Sequence, residues 1–173
     1  ELWSGKGVNF YMRAGFSFTA GPLTLFSVPA FTFSQNLPFT LMEQRSSSQN
    51  PYSYPDARID WPQRFGDSYL MNFHLGQSGI RLRLHPFTMG LSTENIWMGP
   101  AQKFPLLMSV TAPGFPHLDF GIEAWDTPLG TVNTRVLWGM LEESAYFDDD
   151  PENDLRFLSG FSASFLPDFI PGA

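Results

Sequence analysis

The feature that most constrains this chain is a strict alternation of apolar and polar residues from Val8 to Thr19. A repeat of two residues is the period of a β-strand, in which successive side chains point to opposite faces. The alternation is also long. Strands of soluble proteins usually have about 5–6 residues, whereas a tilted strand needs roughly 9–11 to cross a bilayer. The opening segment therefore favours a strand long enough to span a membrane.

The same alternation recurs along the chain and predicts seven strands. A return strand over residues 23–34 follows a turn at residues 20–22, and Pro29 weakens it because proline lacks a donor for the ladder. The phase of the alternation slips by one residue at Pro86, and we interpret that slip as a β-bulge. The remaining predicted strands cover residues 69–75, 80–91, 118–124, 132–140 and 155–165.

The connections between these strands alternate between short and long. Short turns are predicted at residues 20–22, 76–79 and 126–130, and long loops at residues 35–66, 94–117 and 143–154. In an up-and-down barrel, such alternation places all short turns at one end, as in bacterial outer-membrane barrels. The sequence therefore predicts an all-β, antiparallel up-and-down transmembrane β-barrel that forms one domain over residues 1–173. Seven is an odd strand number, so we expect the barrel to be partial.

Five arginines in the predicted strands all fall on the polar phase, together with Asp119 and Glu123. In a soluble sandwich this phase would face water, and the pattern alone fits that fold as well. The strand length, the 18 phenylalanines and the loop asymmetry favour a lipid-facing apolar band around a charged lumen. The residues predicted to line the lumen are Arg13, Arg81, Arg83, Arg135 and Arg156. Asp119 and Glu123 can neutralise at most two of these arginines, so we expect the rest to make this surface locally positive.

Composition excludes several classes of protein. The net charge of −7 argues against nucleic-acid binding, because no basic stripe is present to neutralise phosphates. The chain has no cysteine, and no apolar run is long enough for a transmembrane helix. It begins at Glu1 without an initiator methionine or a signal pattern, so we expect a mature chain or an internal fragment.

No arrangement of residues predicts catalysis, a metal ion or another cofactor. The histidines lack the HExxH spacing of zinc enzymes, and no GxSxG elbow or phosphate-binding glycine loop occurs. The acidic run over residues 148–154 lacks the glycine and terminal glutamate of a calcium loop. We therefore expect a protein that is not an enzyme.

The segment Trp97-Met98-Gly99-Pro100, preceded by Glu94-Asn95, resembles the Trp-Trp-Gly-Pro signature of the Wzi capsule-assembly family. Residues Ser109 to His117, which include Phe115, are similar to the segment that follows this signature. Residues 59–67 and 76–78 resemble elements that precede it. Two departures stand out: Met98 replaces the second Trp, and Val110-Thr111 replaces Asn-Asn. The signature-loop residues that carry the resemblance are Glu94, Trp97, Gly99, Pro100, Ser109 and Phe115.

The resemblance implies a non-enzymatic barrel of about 18 strands in the bacterial outer membrane, of which this chain would be a part. Such a barrel binds or organises capsular polysaccharide at the cell surface. The five strand arginines then become candidate polysaccharide-binding residues. Because the guanidinium fork suits carboxylates, and many capsular sugars are acidic, we expect an acidic polysaccharide as partner beside outer-membrane lipid.

Alternatives remain at the level of the sequence. The arginines could form a ladder with acidic residues and only stiffen the wall. The barrel could be a porin or a transport protein, or the chain could be a soluble carbohydrate-binding β-sandwich. We expect Trp97, Gly99 and Pro100 of the signature loop to fold inward and pack against lumen residues. A loop that plugs the lumen would disfavour the porin.

Overall fold

The segments with alternating residues form strands in the structure. This structure is a computed structural model, and it describes residues 3–46, 49–56, 60–98, 108, 113–147, 150 and 152–169. These residues form ten antiparallel strands and no helix, and none of them forms a helix long and apolar enough to cross a membrane. The fold is therefore all-β and antiparallel. The strands are β1 (Asn9–Arg13), β2 (Phe16–Ala20), β3 (Leu23–Ser27), β4 (Ala30–Ser34), β5 (Leu70–His74), β6 (Gly79–Leu84), β7 (Phe87–Ser92), β8 (His117–Thr127), β9 (Gly130–Glu142) and β10 (Leu155–Pro167).

The chain divides into two compact units, each with its own sheet. The first contains the segments up to Arg13, Ala30–His74 and Leu141–Arg156, and its three-stranded sheet has the order β1-β4-β5. The second contains Ala14–Pro29, Leu75–Met140 and the segment from Phe157 onward. Its seven-stranded sheet has the order β10-β9-β8-β7-β6-β3-β2, with single neighbours for β2 and β10. Within the described residues this sheet is open.

Two of the predicted long strands are each divided into two strands of five residues. Pro29 cannot donate to the ladder, so pairing stops there. Across from it, a Cβ on Gly15 would lie 2.7 Å from the Cα of Val28, an approach that only glycine permits. The alternation hides this break because the pairs on either side, Arg13 with Ala30 and Phe16 with Ser27, keep one hairpin register.

The predicted bulge at Pro86 is wrong. Residues 80–91 do not form one strand: β6 and β7 pair as a hairpin in which Leu84 lies opposite Phe87. The two residues between them, His85 and Pro86, form the turn and are joined by a cis peptide bond. A tight turn and a bulge both shift the alternation, so the sequence pattern did not separate them. Together with the two divided strands, this hairpin explains why ten strands replace the predicted seven.

The short turns of the second unit lie side by side at one end of its sheet. The carbonyl of Pro22, in the β2–β3 turn, accepts the N–H of Arg83 at 2.8 Å, and the carbonyl of Pro86 accepts that of Glu123 at 2.8 Å. In the same way, Leu129 of the β8–β9 turn accepts the N–H of Asp168 at 3.2 Å. The loop between β7 and β8 starts at the opposite end. Short turns thus share one end. The turn predicted at residues 76–79 is wrong, because β5 and β6 do not pair, and the short turn at this end is the β6–β7 turn.

Burial on β4 and on β7 to β9 is the reverse of that found in a soluble protein, whereas every residue of β1 and β2 is exposed. Among the described residues, the buried apolar side chains other than proline are Ala30, Ile96 and Leu137. The apolar phase of the strands is exposed instead, and Phe73 and Phe157 are each 71% accessible. In a water-soluble sandwich the apolar face would form the core. The described polar and charged side chains that are buried are Thr32, Ser34, Asn36, Ser53, Arg64, Ser92, His117 and Asp119.

Within the first unit, Asn36 joins the start of the loop after β4 to its end. The side chain is 1% exposed. Its Nδ2 donates to the carbonyls of Phe65 at 3.0 Å and Ser68 at 2.8 Å, and its Oδ1 accepts the indole N–H of Trp3 at 3.2 Å. Its φ of 51° is a left-handed conformation that asparagine tolerates better than alanine. One residue therefore holds both ends of this loop.

We predict that Asn36→Ala destabilises the first unit by about 1–3 kcal/mol, because buried carbonyls lose their donor. Asn36→Gly loses the same bonds but accepts the positive φ, so it should be the milder change by up to about 1 kcal/mol. Denaturant unfolding and limited proteolysis of the loop measure both effects. A wild-type midpoint for the alanine variant would contradict this role.

Candidate functional site

The register of the second sheet brings three of the five predicted arginines together on its polar face. Arg81 of β6 and Asp119 of β8 lie in one row, on either side of Gly90. In the next row, Arg83 on β6 and Arg135 on β9 are separated by Thr88 and Gly121. Strand phase placed each arginine on the polar face, and strand pairing makes them neighbours.

Each of these arginines has a carboxylate partner. Arg135 Nη2 lies 2.7 Å from Asp119 Oδ1, and Arg81 Nη2 lies 3.7 Å from the same oxygen. Arg81 Nη2 also donates to Glu94 Oε2 at 3.0 Å. At the exposed side of the group, Arg83 Nε lies 3.4 Å from Glu123 Oε2.

The excess of positive charge expected from the sequence is absent here. Asp119 and Glu123 were the acidic residues identified in the strands, and Glu94 supplies a third carboxylate from the segment after β7. Three arginines are therefore matched by three acids.

Glycine makes room for this network. A Cβ on Gly90 would collide with Asp119 Oδ2 and lie 3.2 Å from Arg81 Nε. A Cβ on Gly121 would lie 3.1 Å from the Cα of Arg135. Because Gly90 carries no side chain, Arg81 and Asp119 can approach each other across it, and Gly121 lets β8 lie close to the backbone of β9.

Burial divides the network into an inner and an outer part. The side chain of Asp119 is 5% exposed and that of Arg81 19%, whereas those of Arg83 and Glu123 are 48% and 57% exposed. Within the described residues, Asp119 Oδ2 and the Nε atoms of Arg81 and Arg135 have no hydrogen-bond partner. The inner ions are thus held by few direct bonds, and each of them depends on its partner.

The arginines border an open concavity of about 270 Å³, here called the polar patch. A planar guanidinium, a carboxylate and neutral hydroxyl or amide groups together offer donors and acceptors to a polyhydroxylated ligand. The polar side chains that line the patch with the three arginines are Thr88, Asp119, Glu123, Asn133, Thr134, Ser162 and Ser164.

Arg13 and Arg156 belong to the first unit, and neither lines the polar patch. Arg13 is exposed on the edge strand β1, opposite Ala30. Arg156 forms an ion pair with Glu143. The five arginines do not form one cluster, although strand phase treated them alike.

The signature loop is placed only in part, since Gly99, Pro100 and Ser109 lie outside the described residues. Trp97 is 42% exposed, while the neighbouring Ile96 is 2% exposed. That this loop folds into a lumen stays a prediction.

Two residues of the loop do reach the polar face of the second unit. Glu94 binds Arg81, and a Cβ on Gly139 would lie 2.7 Å from the ring of Phe115. Gln77 Nε2 donates to Asn95 Oδ1 at 2.5 Å, and the backbone N–H of Asn95 donates to Gln77 Oε1 at 2.9 Å. Both ends of the loop are therefore fixed to the sheet.

A buried Ser92–His117 pair lies beside Phe115. Ser92 Oγ is 3.1 Å from His117 Nε2, and His117 Nδ1 is 2.8 Å from the carbonyl of Phe115. Nδ1 donates to that carbonyl, because a carbonyl oxygen can only accept. The pair has the form of a nucleophile and a base, but Ser92 and His117 are 4% and 2% exposed and a substrate cannot reach them. Among the described residues, no group of three or more His, Asp or Glu side chains could hold a metal ion.

A second polar cluster, in the loop after β4, was missed because only strand arginines were considered. Arg64 is 3% exposed. Its Nη1 lies 2.6 Å from Asp67 Oδ1, and its Nη2 donates to the carbonyl of Asn36 at 2.9 Å. Arg64 and Asp67 are three residues apart in the segment 59–67 that resembled a family element, which was the available signal.

Tyr52 completes this loop cluster by donating its hydroxyl to Asp67 Oδ2 at 2.5 Å. This hydrogen bond, with a smaller effect of desolvation, raises the pKa of Tyr52. The same bond, aided by Arg64, lowers the pKa of Asp67. The cluster therefore favours a neutral tyrosine beside an ionised aspartate.

Comparison of the chain with models of known protein families, with curated proteins and with solved structures finds no match. The resemblance to the Wzi family therefore stays a prediction from the sequence motifs.

We predict that Asp119→Asn destabilises the second unit by about 3–5 kcal/mol, because it leaves largely buried arginines without their shared carboxylate. Glu123→Gln is the matched control: it breaks an exposed ion pair and should change stability by less than about 1 kcal/mol. Denaturant unfolding of both variants makes the comparison. Equal losses would show that burial does not set the strength of these pairs.

We also predict that Asp67→Asn lowers the pKa of Tyr52 toward its ordinary value. In the wild type, the raised pKa of Tyr52 means that the bond stabilises the fold below pH 10. This stabilisation is lost as the pH rises through the pKa of Tyr52 in the folded protein. The lowered pKa of Asp67 means that its contribution is lost as pH falls through that pKa. Absorbance titration, with Tyr52→Phe as the blank, measures the shift, and an unchanged titration of Tyr52 would contradict the coupling.

Proposed function

We propose that this chain is part of the wall of a β-barrel in the bacterial outer membrane. The observation that carries the proposal is the reversed burial of the sheets, with apolar side chains exposed and polar ones covered. Water would oppose so much exposed apolar surface, whereas lipid stabilises it, and a polar interior is usual for such barrels.

Strand length supports the same proposal. The strands β8, β9 and β10 contain 11, 13 and 13 residues, and a tilted strand needs roughly 9–11 to cross the bilayer. On β10, one phase presents the exposed Phe157, Phe161 and Phe165, while Ser162 and Ser164 of the other phase line the polar patch. Lipid-facing and interior-facing residues would then alternate as a barrel wall requires.

We further propose that the barrel is not an enzyme and binds or organises capsular polysaccharide at the cell surface. Two features support this: the signature residues Glu94 and Phe115 lie on the polar face, and the patch beside them offers both donors and acceptors. An acidic polymer remains the expectation from the sequence. A porin or transport barrel is less well supported, because both ends of the signature loop are fixed to the polar face.

Arginine substitutions of one exposed phenylalanine and one exposed leucine test the membrane location. Phe120 lies within β8 and Leu129 in the short β8–β9 turn, and both are exposed. If lipid covers the strands, Phe120→Arg should lower the free energy of unfolding by about 2–4 kcal/mol, because this residue would lie near the bilayer midplane. Leu129→Arg should lower it by at most about 1 kcal/mol, because this residue would lie near the interface.

Unfolding of the chain from lipid vesicles, together with assembly into the outer membrane in cells, measures this difference. In water both substitutions would replace an exposed apolar residue by a charged one, with little loss of stability. A Phe120→Arg variant that is as stable as Leu129→Arg, and that stays soluble without lipid, would support the sandwich instead.

A further inference from the structure

The polar patch is electrically balanced by residues of its own chain. Arg135 lies 2.7 Å from Asp119, Arg81 lies 3.0 Å from Glu94, and Arg83 lies 3.4 Å from Glu123. A carboxylate ligand would have to displace one of these acids or approach beside it. Like-charge contacts of this kind oppose binding.

We infer that the polar patch takes an uncharged, hydroxyl-bearing sugar unit and disfavours a carboxylate-bearing one. This inference rests on the proposed function, since it names the part of a polysaccharide that the patch would hold. An acidic capsular polymer also contains uncharged units, so the inference concerns the sugar in the patch and not the whole polymer.

The exposed pair at the mouth of the patch supports the inference. Arg83 offers donors and Glu123 an acceptor, with the two heavy atoms 3.4 Å apart, and both side chains are about half exposed. Neighbouring hydroxyls on a sugar ring can accept from the one and donate to the other at the same time. A carboxylate can only accept, so it satisfies Arg83 and is repelled by Glu123.

The neutral lining of the patch continues the same chemistry. Thr88, Ser162 and Ser164 carry hydroxyls that donate or accept as needed. The Oδ1 of Asn133 already accepts the N–H of Ala124 at 2.8 Å, so the group that Asn133 offers a ligand is its NH2 donor. Hydroxyl and amide groups match sugar hydroxyls without adding charge.

The test uses two probes that differ only at C6: homogalacturonan oligomers, which carry a carboxylate there, and the same oligomers after reduction of that carboxylate to a hydroxymethyl group. Binding to the full chain in lipid vesicles is measured by calorimetry at low and high salt. We expect the reduced, neutral oligomer to bind at least about tenfold more tightly, with an affinity that salt barely changes.

Variants separate the patch from the rest of the surface. Glu123→Gln should weaken binding of the neutral oligomer and strengthen binding of the acidic one, because it replaces the carboxylate by a weaker, neutral acceptor and leaves Arg83 without its counter-charge. Glu152→Gln, at an exposed site outside the patch, is the matched control and should change neither.

Tighter binding of the acidic oligomer, weakened by salt and by Arg83→Gln, would overturn the inference and leave the proposed function standing. If neither oligomer binds, both this inference and the polysaccharide role fail.

Discussion

Charge compensation on the polar face is the interaction on which the second unit depends. Asp119 is nearly inaccessible and lies between Arg81 and Arg135, in the place where a soluble protein would have apolar side chains. Leaving such ions without partners would cost several kcal/mol, so the pairs must form together with the sheet. Gly90 permits the approach, and Glu94 extends the network to the loop after β7. The apolar residues contribute little core, because most of them lie on the other face.

The alternation of the sequence was enough to predict the strands and the two faces of each sheet. Phe16, Phe73 and Phe157 were expected to share an apolar face, and all three are exposed. The same alternation could not show where a strand stops. The break between Arg13 and Phe16 keeps the phase, and the turn at Pro86 shifts it as a bulge would. These features depend on which backbone lies opposite, and that is set by long-range pairing.

In the candidate site, too, the sequence predicts some features, and long-range pairing sets the others. Strand phase identified Arg81, Arg83 and Arg135, but only the register makes them neighbours of Asp119. Glu94 was identified through the signature motif, and its bond to Arg81 could not be predicted because it joins a loop to a strand. Arg64 was noted only as part of the segment 59–67, and its bond to Asn36 could not be predicted because that residue lies at the other end of the loop after β4. Side-chain pairing across such distances leaves no period in the sequence.

The proposal of a membrane-embedded wall is tested most directly on β10, by labelling single cysteines from residue 157 to 165 in lipid vesicles. The chain contains no cysteine, so each label occupies one site. Spin-label accessibility to oxygen, which dissolves in lipid, is compared with accessibility to a water-soluble nickel complex. The account predicts a period of two, with labels at Phe157, Phe161 and Phe165 reached by oxygen and those at Ser162 and Ser164 reached by nickel. Nickel access at every position would contradict it.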